Sequence, residues 1–183
     1  MGKHLPEETL RSAQHGDRGA LRTLYHHLAP STLGYLRGKN VDDPEAVMQE
    51  VLLSVFSRLA GLEGGEASLR TLTFSIAHAR VVDHLRRSSR KPAEAEYDPD
   101  HDFRTSPSAE SVALNSLKHS DVLVLMGELN INHREVLLLR IVAELPVDEV
   151  ASIMGRSVGA TKQLQKRALE SLRDLAKSRR NSI

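Results

Sequence analysis

Apolar residues recur at three- and four-residue spacing along most of the chain, and turn residues cut that periodicity into helix-sized pieces. Pro6-Glu7-Glu8 opens a short helix with proline and acids in its first turn, and Gly16 closes it. Asp17 is placed to cap a second helix carrying Leu21, Leu24, Tyr25 and Leu28. Pro30 is expected to interrupt it, with Ser31 restarting a helix that carries Leu33 and Leu36 and stops near Gly38. Asp43-Pro44-Glu45 joins a cap, a first-turn proline and an acid, and the helix behind it sets Val47, Met48, Val51, Leu52, Val55 and Phe56 on one face. A glycine-rich loop over 61–66 follows. Residues 67–90 then read as a long helix with Leu69, Leu72, Ile76, Val81, Val82 and Leu85 as its apolar positions, ending before Pro92.

Residues 92–110 carry Pro92, Pro99 and Pro107 with no periodicity, which predicts a linker and a domain boundary. Beyond it, 111–127, 132–143, 147–154 and 157–177 read as helices. The last two are separated by a tight turn: Gly155 lets the chain leave the first helix sharply, and Ser157 can cap the second. Residues 147–167 thus predict a helix-turn-helix with Val150, Ala151, Met154, Val158 and Leu164 inside. Arg156, Ser157, Thr161, Lys162, Gln163, Lys166 and Arg167 are expected outside, chemically suited to phosphates and base edges in a major groove. The expected fold is all-α: two small helical domains, 17–91 and 111–178, joined by a flexible acidic linker, with an extension at 1–16 and a tail at 179–183.

The net charge of +1 hides a strong segregation. Residues 80–91 hold five Lys or Arg against Asp83, residues 92–110 hold six acids against Arg104, and residues 156–180 hold eight Lys or Arg against Glu170 and Asp174. Two basic blocks flank an acidic one, which suits a polyanionic partner as well as solvated helix faces. With no Cys, disulfide frameworks, thiolate zinc sites and cysteine nucleophiles are excluded, and the nine His show no metal-ligand spacing, so no metal or other cofactor is expected. His26 and His27 read as one surface and one half-buried residue. No nucleophile elbow, phosphate loop or dinucleotide fingerprint supports an enzyme, and no apolar run suggests a signal peptide or membrane insertion, so a cytoplasmic location is expected.

Two stretches carry a resemblance. Residues 43–56, with Gln49-Glu50 ahead of an apolar run, and the later Asp83-His84-Leu85-Arg86-Arg87 resemble conserved region 2 of the extracytoplasmic-function (ECF) branch of bacterial sigma factors. Residues 129–140, the helix-turn-helix, and 159–169 are similar to region 4 of actinobacterial members. The resemblance implies a promoter-specificity subunit that binds core RNA polymerase and promoter DNA and is held by an anti-sigma factor. It assigns Asp43, Glu45, Gln49, Glu50 and Leu53 to polymerase, and the loop over 61–68, with Gly64 and Gly65, to a base flipped from the −10 element. The helix over 67–90 would hold the opened strand, with Arg80, His84, Arg86, Arg87 and Arg90 as its cations, and the recognition helix would enter the −35 major groove. Residues 92–110 can extend to about 60 Å, and with the widths of two domains added this reaches the roughly 70 Å between elements two helical turns apart. For the anti-sigma factor, apolar area is expected around 52–56 and 137–142.

The chain departs from the family pattern at Leu72, where an aromatic is frequent, and at Ala79, where Asn is; Phe74 is left as the nearby aromatic for base stacking. Ala46 and Leu52 replace a frequent acid and a frequent Phe. Thr161 stands where an aliphatic is common, as a base contact or a slightly polar core residue. A dimeric helix-turn-helix regulator would explain only the last third of the chain. A helical interaction module would explain neither the basic recognition helix nor the split charge.

Overall fold

A computed structural model describes residues 5–88 and 124–180, and the described residues are helical without strands. Helix α1 (Glu7–Gln14) ends where Gly16 takes φ 85°, a left-handed conformation that glycine adopts without strain. The Asp17 carboxylate accepts from Ala20 N–H at 2.7 Å and starts α2 (Arg18–Gly38). Asp43 caps α3 (Pro44–Phe56) through Ala46 N–H, and a 3-10 turn at Leu59–Gly61 leads to α4 (Glu66–Ser88). In the second half, residues 124–127 form a helical turn, and Asn130 caps α5 (Ile131–Leu137). This runs into a π-turn (Leu138–Val142), then α6 (Val147–Ile153) and α7 (Val158–Arg180). The expected linker at 92–110 and most of the expected helix at 111–127 lie outside the described residues.

One expectation is corrected at Pro30, which sits inside an unbroken α2. Proline in a helix interior removes a hydrogen bond and costs about 3 kcal/mol or more. Here the ring points to solvent, while Leu24, Leu28, Tyr35 and Leu36 are buried on either side of it. The hydroxyls of Ser31 and Thr32 both donate to the Leu28 carbonyl, in the turn that the proline occupies. Packing of one continuous apolar face outweighs the local penalty.

The second correction is the π-turn in the segment expected to be α-helical through Ala143. Ala143 N–H bonds the Leu138 carbonyl and Leu145 N–H bonds the Leu139 carbonyl, both wider than an α-turn. Three consecutive leucines, 137 to 139, are fully buried because this segment has protein on two sides. It packs on α2 of the first half as well as within its own, and the buried apolar cluster is continuous across the two. Tyr35 and Phe74 meet edge to face in that cluster, ring centroids 5.6 Å apart.

Candidate nucleic-acid interface

The turn between α6 and α7 is built as its sequence suggests. Gly155 adopts φ 62°, Arg156 N–H returns to the Ala151 carbonyl at 2.9 Å, and the Ser157 hydroxyl accepts from Ala160 N–H at 3.2 Å. Arg140 donates to the Leu145 carbonyl and to Gln165, which ties the entry of α6 to α7. The outward face of α7 presents Lys162, Gln163, Lys166 and Arg167, all exposed, with Arg173 continuing the row. Among the described residues no ion pair engages Lys162, Lys166 or Arg167. Arg156 and Ser157 are exposed at its N-terminal end, although Arg156 also reaches Asn132 at 3.2 Å.

Thr161 and Val158 exchange the positions expected for them. Thr161 is fully buried and its hydroxyl donates to the Ser157 carbonyl at 3.0 Å, whereas Val158 is 40% exposed. The buried line of α7 runs through Thr161, Leu164, Ala168, Leu172 and Leu175, so position 161 faces α6 and the core. Thr161 is therefore a core residue with its own hydrogen bond and leaves the DNA-facing set.

In the first half, Asp43, Glu45, Gln49, Glu50 and Leu53 all lie exposed on α3, Leu53 at 70%. Glu45 pairs with Arg37 at 2.6 Å, and the Asp43 carboxylate is engaged in the cap. The acidic side of α3 faces the basic side of α4. Arg80 approaches Glu50 at 3.7 Å and Ser54 Oγ at 3.4 Å, and His84 meets Asp42 at 3.1 Å. The residues expected at polymerase and at the opened strand thus share one seam. Arg86 is exposed on α4; the Arg87 side chain and Arg90 lie outside what is described.

Two further corrections concern apolar groups. Phe74 is fully buried against Tyr35, so it is unavailable to stack on a base. Leu52, Val55 and Leu137 to Leu139 are buried, which leaves Leu53 and Ile141 as the large exposed apolar side chains of the two expected patches.

The glycine-rich loop is held by contacts that no local sequence signal announces. Gln14 on α1 donates its amide to the carbonyls of Leu59 and Leu62, at 3.2 and 2.8 Å. Gly64 takes φ 89°, and a Cβ there would collide with Ser68 Oγ, whereas Gly65 has open space around it. At the loop's exit Glu66 accepts from Leu5 N–H at 3.0 Å, from His27 at 2.9 Å and from Arg70 at 3.2 Å. Burial alone would raise the Glu66 pKa, but these three donors hold it below the usual carboxylate value. His27 is the half-buried member of the histidine pair and His26 the exposed one.

A second polar centre joins the two halves. Glu135 of α5 is 4% exposed and accepts from the Tyr35 hydroxyl at 2.7 Å, from His78 Nδ1–H at 3.0 Å and from Lys39. Burial pushes its pKa up, but the His78 hydrogen bond, the Lys39 charge and the Tyr35 hydroxyl bring it down to about 2. Burial, followed by the nearby Glu135 charge, raises the Tyr35 phenol well above its ordinary value.

Fold and surfaces together define a helical protein with a helix-turn-helix and a cationic recognition helix, and its relatives agree. Residues 125–174 match the family Sigma-70, region 4. ECF RNA polymerase sigma factor ShbA of Streptomyces griseus is 31% identical, covering 90% of this chain and 91% of its own. ECF RNA polymerase sigma factor SigD of Mycobacterium tuberculosis is 30% identical over 87% of this chain and 78% of its own. The solved structure of CnrH, in complex with the cytosolic domain of CnrY, shares the fold, with a TM-score of 0.64 at 19% identity over 94% of this chain and 97% of that one. The chain belongs to the ECF RNA polymerase sigma factors. Among the described residues no helix is long and apolar enough to cross a membrane.

Proposed function

We propose that this chain works in the cytoplasm as an alternative sigma factor, with residues 17–91 and 111–178 as its two working units. The exposed part of α3 around Gln49, Glu50 and Leu53 meets core RNA polymerase. The loop at 61–68 receives a −10 base, and α4 holds the opened strand through Arg80, His84 and Arg86. The α7 face enters the −35 major groove. The observation that carries this reading is the row of Lys162, Gln163, Lys166 and Arg167, presented to solvent by a helix whose opposite face is core. Base-edge contacts from such a row discriminate by about 1–3 kcal/mol each, and its cations make binding fall with salt.

An anti-sigma factor is the expected regulator. In support of that reading, Leu53 and Ile141 offer apolar anchors, and the fold relative CnrH is itself seen with a bound protein. The test is run-off transcription with purified core polymerase on genomic promoter fragments. A discrete new transcript that disappears in the Lys162→Ala/Arg167→Ala variant is the expected result. Absence of any transcript, together with failure to co-elute with core polymerase, would overturn the proposal.

A further inference from the structure

The tip of the glycine-rich loop is short of side chains. Between Leu62 and Glu66 it offers the Glu63 carboxylate and the backbone of Gly64 and Gly65, with Glu63 and Gly64 exposed. A base received by such a tip is told from the others largely by peptide N–H and C=O groups. Hydrogen bonds weaken steeply with distance and angle, so selectivity of that kind depends on where the backbone is held. Two adjacent glycines do not hold a backbone by themselves, because glycine enters most conformations at little cost.

The N-terminal segment holds it instead. Gln14 Nε2 donates to the Leu59 carbonyl at 3.2 Å and to the Leu62 carbonyl at 2.8 Å, which fixes the loop where it enters. Leu5 N–H donates to Glu66 Oε2 at 3.0 Å, which fixes the loop where it leaves. His27 and Arg70 bond the other carboxylate oxygen at 2.9 and 3.2 Å. Leu5 and Gln14 stand at opposite ends of α1, and the helix between them is itself anchored. Leu5, Leu10 and Ala13 belong to the buried cluster, and α1 packs on α2 and on the 3-10 turn. One fixed helix therefore spans both ends of the loop, like a strut behind it.

We propose that α1 is a specificity-determining element of the −10 reader: Leu5 and Gln14 are positioning residues that set which base the loop accepts, without touching DNA. The proposal rests on the reading of residues 61–68 as the receiver of a −10 base. Gln14 gives the sharper test, because its side chain can be exchanged while the backbone donor of Leu5 cannot. Gln14→Met keeps the length of the side chain and lacks its donors, and Gln14→Lys keeps donors on a longer stem.

The full-length variants, with far-UV ellipticity confirming that each is folded, are compared with wild type in run-off transcription by core polymerase from a pool randomised across the −10 and −35 elements. The readout is the ratio of yields from the best and second-best base at each position, not the total yield. In Gln14→Met this ratio should fall at least about fivefold at one −10 position, the size of a lost base-edge contact, and hold at every −35 position. Gln14→Lys should bring it most of the way back. Peptide-resolved hydrogen exchange over 59–66 in the free protein should quicken in Gln14→Met and not in Gln14→Lys. A residue that merely stabilised the fold would lower the yield from all promoters alike. Unchanged ratios in Gln14→Met would therefore overturn the proposal, as would ratios left equally low by Gln14→Lys or unaltered exchange in the loop. A wild type that transcribes from no promoter would instead overturn the sigma-factor reading, and the exchange contrast would still decide whether α1 holds the loop.

Discussion

Arg80 on α4 faces Glu50 on α3 across 3.7 Å, so a cation assigned to the opened strand rests beside an acid assigned to polymerase. Both side chains keep contact with solvent, Arg80 half-covered and Glu50 exposed, and such a pair contributes at most about 1 kcal/mol. Glu50→Ala should therefore leave the midpoint of thermal unfolding almost unchanged while weakening co-elution with core polymerase. Arg80→Ala should reduce affinity for a single-stranded −10 oligonucleotide and flatten its salt dependence by about 0.7 in slope. Fluorescence anisotropy at several salt concentrations measures both.

Thr161 and Lys162 are neighbours in sequence with opposite surroundings, one core and one solvent. Thr161→Val removes a hydroxyl bonded to the Ser157 carbonyl and should cost about 1 kcal/mol of stability without altering promoter preference. Lys162→Ala should leave stability intact and weaken −35 duplex binding. Its salt slope should fall by about 0.9 if the contact is to phosphate. Urea unfolding and gel-shift titrations separate the two effects.

The loop at 59–65 is predicted to depend on α1. Gln14→Leu removes both donors to the Leu59 and Leu62 carbonyls and should change which base is preferred at the −10 position, measured on a randomised promoter pool. Gly64→Ala should be destabilising, because φ 89° and the Ser68 hydroxyl both oppose a Cβ, whereas Gly65→Ala should fold normally. Differential scanning calorimetry of the two alanine variants gives the contrast directly.

Acid should loosen the contact between the halves. With the folded pKa of Glu135 near 2 and its usual value 4.5, the unfolded chain binds the extra proton between those limits. Stability from this group is complete above about pH 4.5 and is lost as pH falls toward 2, a span on the order of 3 kcal/mol. Glu66, also lowered, acts with the same sign. Urea titrations between pH 6 and 3 should show a falling unfolding free energy, and the fall should be shallower in Glu135→Gln.

How much of this was legible in the sequence depended on range. The caps at Asp17 and Asp43, the turn at Gly155 and Ser157, and the outward cations of α7 follow from residues within a few positions of one another. Pro30 was misread because its local cost is real but smaller than the burial of Leu24, Leu28, Tyr35 and Leu36 around it. Phe74 is buried although its aromaticity suggests base stacking, and Thr161, readable in sequence as either a base contact or a slightly polar core residue, is assigned to the core only by the phase of the helix. Gln14 and Glu135 carried no local signal. Their partners lie 45 and 100 residues away, and only the folded chain brings them together.

The distance between Tyr35 and Glu135 along the chain also sets a clock. A ribosome adding about 5–20 residues per second needs roughly 5–20 s to make the stretch between them. For that interval the face of α2 at Gly34 and Gly38, where Val142 and Leu138 seat, has nothing of its own chain to cover it. A newborn molecule thus passes through a stage in which its first half stands without its partner segment, and any protein that competes for that surface has its easiest access while translation is still under way.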